Sequence, residues 1–225
     1  MLEVASWLKV NTILVVPGAV DVIFDPTRPV VSYEVVYQRA QESLKKLVPL
    51  AEKFKVNIAI ENVWNKFLLS PLEMRHFVDE FDSEYLGVYF DVGNVILYGY
   101  PEQWIKILGK RIKKVHFKDF KREIGTLAGF VNLLYGDVNW PAVIKALQDV
   151  QYDDYVIAEL FPPQYYSESI IFGIIVDSVC EVLKLKHEEI EEAPTFVKNL
   201  NKDYILFLYI QGRWNLDKCL LPLGH

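Results

Sequence analysis

The sequence has few of the features that mark secreted, membrane-spanning or nucleic-acid-binding proteins. It contains two cysteines, Cys180 and Cys219, which lie far apart and predict neither a disulfide framework nor a cysteine metal site. The first residues lack the basic segment of a signal peptide, and Lys9 interrupts their apolar stretch. No apolar run approaches the roughly 20 residues of a membrane span. We therefore expect a cytoplasmic protein that does not insert into a membrane.

Charge argues against nucleic acid as a partner. The net charge is −6, so the chain has no general attraction for phosphate backbones. Apolar side chains, by contrast, are abundant: 52% of the 225 residues are hydrophobic, enough for one sizeable core. We expect an α/β domain that acts on a small molecule, with homo-oligomer formation left open.

Apolar runs and amphipathic segments alternate along the chain. This order is typical of βαβ units around a parallel sheet. The predicted strands are Thr12–Val16, Asn57–Glu61, Leu86–Asp91, Ile112–His116 and Tyr155–Glu159. The predicted helices are Leu2–Leu8, Tyr33–Phe54, one that begins after Ser70, Pro101–Leu108, Trp140–Val150 and Ser167–Leu185.

Four of the predicted strands end in a residue that can bind a metal. The runs NIAIE, GVYFD, KKVH and YVIAE end in Glu61, Asp91, His116 and Glu159. Active sites of α/β barrels lie at the carboxyl ends of the strands, where such side chains meet. Carboxylates with an imidazole form a mixed oxygen and nitrogen set that suits a divalent ion. We therefore predict one divalent metal ion bound by these residues.

Each candidate ligand also has an ordinary interpretation. A glutamate at a strand end is usually a solvated carboxylate, and Asp91 before Gly93 suits a turn. A single histidine such as His116 is commonly a core residue. Glu159, however, lies between apolar residues, where an unpaired carboxylate would be costly to bury. The joint pattern favours a metal site.

The predicted metal site and its carboxylates also suit proton transfer at a carbon beside a carbonyl. A divalent cation polarises the carbonyl, and two carboxylates on opposite sides of the substrate remove and return the proton. Glu61 and Glu159 are the candidates for this pair. Asn62 and Trp64 suit the wall of a sugar pocket. Lys118 and the following basic residues suit a hydroxyl, an enediolate or a phosphate, although a solvated loop is the alternative.

The sequence resembles the xylose isomerase-like TIM barrels, specifically the sugar-phosphate isomerases and epimerases with the ketose 3-epimerases. The resemblance runs from about Leu2 to Leu185, and its most specific stretches are IAIENVWNKFLLSP, GVYFDVGN, KKVHFKDF and GDVNWPAV. It implies a (β/α)8 barrel of xylose isomerase-like type with a Mn²⁺, Co²⁺, Mg²⁺ or Zn²⁺ centre at the four ligands. It also implies that Glu61 and Glu159 act as acid and base through a cis-enediolate.

Two substrate-binding positions follow from the same resemblance. Arg122 matches a substrate-contacting arginine of the ketose epimerases. Asn94 stands where those epimerases often have a substrate-binding histidine, which favours the sugar-phosphate members as relatives. The resemblance therefore implies a metal-dependent isomerase or epimerase of a ketose or ketose phosphate.

The resemblance also implies that the barrel is partial. Family barrels have three more strands before Thr12–Val16, so we expect about five βα units in residues 1–186 and an irregular tail of unknown role in residues 187–225. A non-catalytic barrel remnant or interaction module is therefore an alternative function. An abasic-site endonuclease is disfavoured, because its multi-zinc cluster needs more histidines and the chain is acidic.

Overall fold

The computed structural model describes residues 1–23, 25 and 27–160, together with the backbone of a short strand at Ile175–Val176. In chain order the strands are β1 (Thr12–Val15), β2 (Asn57–Glu61), β3 (Leu86–Asp91), β4 (Ile112–Phe117), β5 (Asp119–Phe120), β6 (Phe130–Val131), β7 (Val156–Ala158) and β8 (Ile175–Val176). The α-helices of this part are α1 (Leu2–Trp7), α2 (Tyr33–Phe54), α3 (Pro71–Asp79), α4 (Pro101–Leu108) and α5 (Trp140–Asp149).

The main sheet has the strand order β1-β2-β3-β4-β7-β8, and its first five members run parallel. The sheet is curled into a half-barrel. The predicted α/β architecture, a partial TIM barrel, is therefore confirmed. The five predicted strands and the helices from α1 to α5 are also confirmed, with ends that differ by a residue or so.

The start of α3 shows how local sequence fixes an element. Ser70 Oγ accepts a hydrogen bond from the backbone N–H of Glu73 at 3.2 Å, and Glu73 Oε2 accepts one from the N–H of Leu69 at 2.9 Å. Pro71 occupies the first helical position, where no backbone donor is needed. Serine at the N-cap and glutamate three residues later form the capping-box pattern, which is the sequence signal for a helix that begins after Ser70.

The strands have one face toward the helices and one face toward the barrel interior. On β2, Ile58 and Ile60 are fully buried in the core, which also contains side chains of α2, α4 and α5. Glu61 points to the opposite face, because side chains alternate along a strand. The register pairs Glu61 with Tyr89 and Asp91 with His116, so the candidate ligands share the interior face.

Two features differ from the sequence predictions. The predicted helix Ser167–Leu185 is wrong at Ile175–Val176, which pairs antiparallel with β7; the rest of that range lies outside the described residues. The predicted loop after β4 contains a small antiparallel pair, β5 and β6. The tail at 187–225 also lies outside the described residues, so the domain boundary stays a prediction. Within the described part, no helix is both long and apolar enough to cross a membrane.

Candidate metal centre

The four candidate ligands meet at the carboxyl ends of neighbouring strands. Glu61 and Asp91 are the last residues of β2 and β3, His116 is the next to last of β4, and Glu159 follows β7 directly. One ligand atom from each residue lies within 4.8 Å of the others. Among the described residues this is the one group of metal-binding side chains that comes together.

The imidazole of His116 contacts all three carboxylates. Its Nδ1 lies 2.8 Å from Glu61 Oε1, 3.1 Å from Glu159 Oε2 and 3.8 Å from Asp91 Oδ2. Only the first of these contacts has the geometry of a hydrogen bond. Asp91 is completely buried and Glu61 is 7% exposed, so little water reaches these two carboxylates, whereas the Glu159 side chain is 38% exposed.

Two carboxylate oxygens at this site are placed to bind a cation. Within the described part of the chain, Asp91 Oδ2 and Glu159 Oε2 are buried and have no hydrogen-bond partner. Burying an ionised oxygen without a partner is costly, and a bound cation removes the cost. Carboxylate oxygens with an imidazole nitrogen suit Mn²⁺, Co²⁺, Zn²⁺ or Mg²⁺. The residues therefore fit a divalent metal ion.

The charges of the site are strongly coupled. Burial raises the pKa of Asp91 well above its usual range, against the opposing charge of Lys118. Burial would lower the pKa of His116, but its contacts with Glu159 and Glu61 raise that pKa to about 9. Burial likewise opposes ionisation of Glu159, yet His116 and Lys118 hold its pKa below the usual range. In the absence of a cation, bound protons and the cationic side chains therefore balance the negative charge of the carboxylates.

The structure brings Lys118 into the site. Lys118 Nζ lies 3.1 Å from Glu159 Oε1 and 3.7 Å from Asp91 Oδ2, and it also stands 4.6 Å from the centre of the Phe130 ring. Its side chain is 7% exposed. This places a positive charge beside the candidate ligand cluster.

Arg122 has different partners. Its Nε donates to the carbonyl oxygen of Ile96 at 2.8 Å, and its guanidinium stands 5.3 Å from the centre of the Tyr100 ring. Its backbone N–H donates to Asp137. These contacts tie the loop after β5 to the turn after β3. A substrate contact by Arg122 stays a prediction.

Asn62, Trp64 and Asn94 lie next to the ligands and bond to the backbone there. The amide of Asn62 makes two hydrogen bonds with the backbone of Asp91. Trp64 Nε1 donates to the carbonyl oxygen of Asn94, and the Trp64 ring packs against Phe120 with ring centres 5.3 Å apart. Their role as substrate ligands stays a prediction.

Comparison with known proteins decides the family. Residues 1–173 match the family model described as xylose isomerase-like TIM barrel. The chain belongs to this family.

Solved xylose isomerase-like structures share the fold at low sequence identity. A D-tagatose 3-epimerase-like protein is 24% identical, with a TM-score of 0.58 over 70% of this chain and 58% of its own. The IolI protein with a bound zinc atom is 23% identical, with a TM-score of 0.62 over 75% of this chain and 60% of its own. These likenesses show the fold alone.

Another relative matches this chain over a shorter stretch. An uncharacterized protein of Methanocaldococcus jannaschii is 27% identical over 123 residues, which cover 52% of this chain and 41% of that protein. The chain thus spans less than two thirds of the length of each relative named here.

Sequence reasoning missed two residues of this xylose isomerase-like site. Tyr89 packs against His116 with ring centres 4.3 Å apart, and it lies two residues before Asp91, so strand periodicity alone would have placed it on the same face. Asp119 is completely buried and accepts hydrogen bonds from Leu134 N–H and Trp140 Nε1. No local sequence signal marks Asp119, because three of its four hydrogen-bond partners are 15 to 21 residues away.

Proposed function

We propose that this chain is a metal-dependent sugar isomerase or epimerase. It moves a proton at the carbon next to the carbonyl of a ketose or a ketose phosphate. The observation that carries the proposal is the meeting of four ligand atoms within 4.8 Å, with two buried carboxylate oxygens that have no hydrogen-bond partner in the described residues. Membership of the xylose isomerase-like family supports it.

The metal would be bound by Glu61, Asp91, His116 and Glu159. When bound, a divalent ion supplies Lewis-acid polarisation of the substrate carbonyl. The donor set is compatible with Mn²⁺, Co²⁺, Mg²⁺ or Zn²⁺ and does not select among them.

Glu61 and Glu159 are the proposed acid and base. They come from the ends of β2 and β7, which are separated in the sheet by β3 and β4. Their nearest oxygens lie 2.8 Å and 3.1 Å from His116 Nδ1. One carboxylate takes the proton from the carbon beside the carbonyl, and the other returns a proton to the enediolate.

Lys118 supplies positive charge where the enediolate forms. Its Nζ is held beside Glu159, and its side chain is nearly buried, so its charge acts in a low-dielectric setting. The Phe130 ring under Lys118 and the adjoining Trp64 ring give an apolar wall that keeps water away from the reacting carbon.

The test is solvent proton exchange by the full chain. The protein is loaded with Mn²⁺, Co²⁺, Mg²⁺ or Zn²⁺ and incubated in D₂O with a panel of ketoses and ketose phosphates. Proton NMR then follows loss of the C–H signal next to the carbonyl. We expect exchange with at least one substrate, at a bound stoichiometry of about one ion per chain.

A matched pair of variants tests the residue assignment. Glu159→Gln removes the proposed acid or base and is expected to slow exchange by about 10²–10⁴-fold. Glu34→Gln changes an exposed carboxyl in the first turn of α2 and is expected to exchange like the unmodified protein. Normal exchange by Glu159→Gln would refute the role given to that residue.

A non-catalytic module is the second candidate. It is favoured by the exposed interior side of β1, where Leu14 is 37% exposed and Val16, the residue after the strand, is 46% exposed. Metal binding without proton exchange on any sugar of the panel would support it. Size-exclusion chromatography and hydrogen exchange then separate a protected oligomer from a loosely folded remnant.

A further inference from the structure

We propose that Asn62 and Asn94 are positioning residues that direct one oxygen of Asp91 toward the metal centre. This inference rests on the proposed metal-dependent function, and it deepens that function by assigning the residues that orient a ligand. It gives both asparagines a role other than the substrate binding expected from the sequence.

The side-chain amide of Asn62 makes the two hydrogen bonds that a backbone pair would make at the next position of the sheet. β2 ends at Glu61, so the backbone pairing with β3 stops there. The Asn62 amide continues the pairing: Nδ2 donates to the carbonyl oxygen of Asp91, and Oδ1 accepts from the N–H of Asp91, both at 2.8 Å. The backbone of Asp91 is thereby fixed to the residue that follows Glu61, another ligand.

The backbone of Asn94 selects which oxygen of Asp91 faces the centre, and the Asn94 side chain holds that backbone in place. The backbone N–H of Asn94 donates to Asp91 Oδ1 at 2.7 Å. The other oxygen, Oδ2, is left 3.8 Å from His116 Nδ1 and 3.7 Å from Lys118 Nζ. A carboxylate with one oxygen bonded in this way presents the other as a single metal ligand.

The two asparagines are themselves joined. Asn94 Nδ2 donates to the carbonyl oxygen of Asn62 at 2.9 Å, and Trp64 Nε1 donates to the carbonyl oxygen of Asn94 at 2.8 Å. Asn62 is 2% exposed and Asn94 is 4% exposed. Because water cannot replace a lost partner at such depth, removing one bond displaces the groups it held. The network therefore fixes the angle of the Asp91 carboxylate.

The experiment compares metal affinity in variants of the full chain. Isothermal titration with Mn²⁺ is carried out on the unmodified protein, Asn62→Ala and Asn62→Asp. We expect both variants to lose about 10–100-fold in affinity, the usual effect of removing a partner that orients a ligand. Asn62→Asp keeps the size and the acceptor but places a carboxylate oxygen against the Asp91 carbonyl.

Asn65 offers a matched control for a merely structural effect. It is also a buried asparagine, and its amide also makes two bonds to backbone, to Gly18 and Phe67, away from Asp91. We expect Asn65→Ala to lower the melting temperature in chelator about as Asn62→Ala does, while its Mn²⁺ affinity is unchanged. The absorption spectrum of the Co²⁺-loaded protein should change in Asn62→Asp and not in Asn65→Ala.

Each result of these measurements either supports or overturns the proposed positioning role. Unchanged Mn²⁺ affinity in Asn62→Ala, or equal losses in Asn62→Ala and Asn65→Ala, overturns the positioning role. If Asn62→Ala does not fold, Asn62→Asp decides in its place, with weakened affinity supporting the proposal and normal affinity overturning it. If the unmodified protein binds no divalent ion, the proposed function itself fails, and that result is visible before any variant is compared.

Discussion

Asp91 shows at the residue scale how folding and metal binding are linked. Its carboxyl is completely buried near Glu61 and Glu159, and burial raises its pKa. The ionised form is therefore unfavourable in the metal-free protein, although Lys118 partly compensates it. A divalent ion that binds the folded state would remove this cost and stabilise the fold by mass action.

We predict that Asp91→Asn separates stability from metal binding. The amide has the same shape and no charge, so we expect the free energy of unfolding in chelator to equal or exceed that of the unmodified protein. Excess Mn²⁺ should raise the melting temperature of the unmodified protein and leave that of the variant unchanged. Thermal unfolding with and without Mn²⁺ measures both effects, and a metal-induced rise in Asp91→Asn would contradict the ligand assignment.

For Lys118 we predict that a substitution lowers proton exchange without weakening metal binding. Lys118→Met keeps the contact with Phe130 and removes the charge beside Glu159. We expect proton exchange to fall by about 10²-fold, because the enediolate loses a stabilising charge. Mn²⁺ affinity should stay equal or rise, since a cation that repels the metal has gone. Lys121→Met, in the loop that follows, is the control; equal losses of exchange in both would argue against a specific role for Lys118.

Single residues differ in how far the sequence reveals them. Glu61, Asp91, His116 and Glu159 could be predicted, because each ends or follows an apolar run and strand ends converge in parallel sheets. The pair of hydrogen bonds between the amide of Asn62 and the backbone of Asp91 could not be predicted. It depends on the distance between two strand ends that are 29 residues apart in the chain.

At the element scale, the loop between β4 and α5 is organised around one carboxylate. Asp119 Oδ1 accepts from the N–H groups of Phe120 and Val138, and Oδ2 accepts from Leu134 N–H and Trp140 Nε1. A Cβ at Gly136 would come within 2.1 Å of Asp119 Oδ1, so the loop needs glycine there. These hydrogen bonds to Asp119 thus stabilise the loop that carries Phe130, the ring that contacts Lys118.

Asp119→Ala should therefore loosen this element. Buried donors that lose their acceptor each cost about 1–3 kcal/mol, so we expect a loss of several kcal/mol in the free energy of unfolding. Asp137→Ala removes an exposed carboxyl of the same loop, which accepts from Arg122 N–H, and should have a much smaller effect. Urea unfolding measures both. Similar losses in the two variants would contradict the organising role of Asp119.

Elements were predictable where their signals are local. The capping box at Ser70 and the apolar runs of β1 to β4 carry those signals, and these elements were found with nearly correct ends. Ile175–Val176 lies in an apolar stretch whose sequence fits a strand or a helix equally well. Pairing with β7 is a tertiary contact, so only the folded chain decides between the two.

At the scale of the whole molecule, the residues that the structure describes leave part of the half-barrel's interior face open. Within the described residues, β1 ends the sheet and pairs with β2 alone. Leu14 is in register with Ala59, which lies two residues before Glu61, so Leu14 belongs to the face that carries the ligands. An apolar edge strand with free backbone groups tends to pair with another chain. The alternation of apolar runs and helices predicted the parallel sheet, but not how much of its interior face is covered.

We predict concentration-dependent self-association through this edge. Leu14→Gln makes the exposed interior side of β1 polar, and we expect it to shift the mass measured by size-exclusion chromatography with light scattering toward the monomer. Leu72→Gln changes a leucine of α3 that is 56% exposed and should leave the mass unchanged. Mn²⁺ affinity should stay the same in both, because neither side chain is a ligand. A monomeric unmodified protein at every concentration, or equal shifts in both variants, would show that β1 does not mediate association.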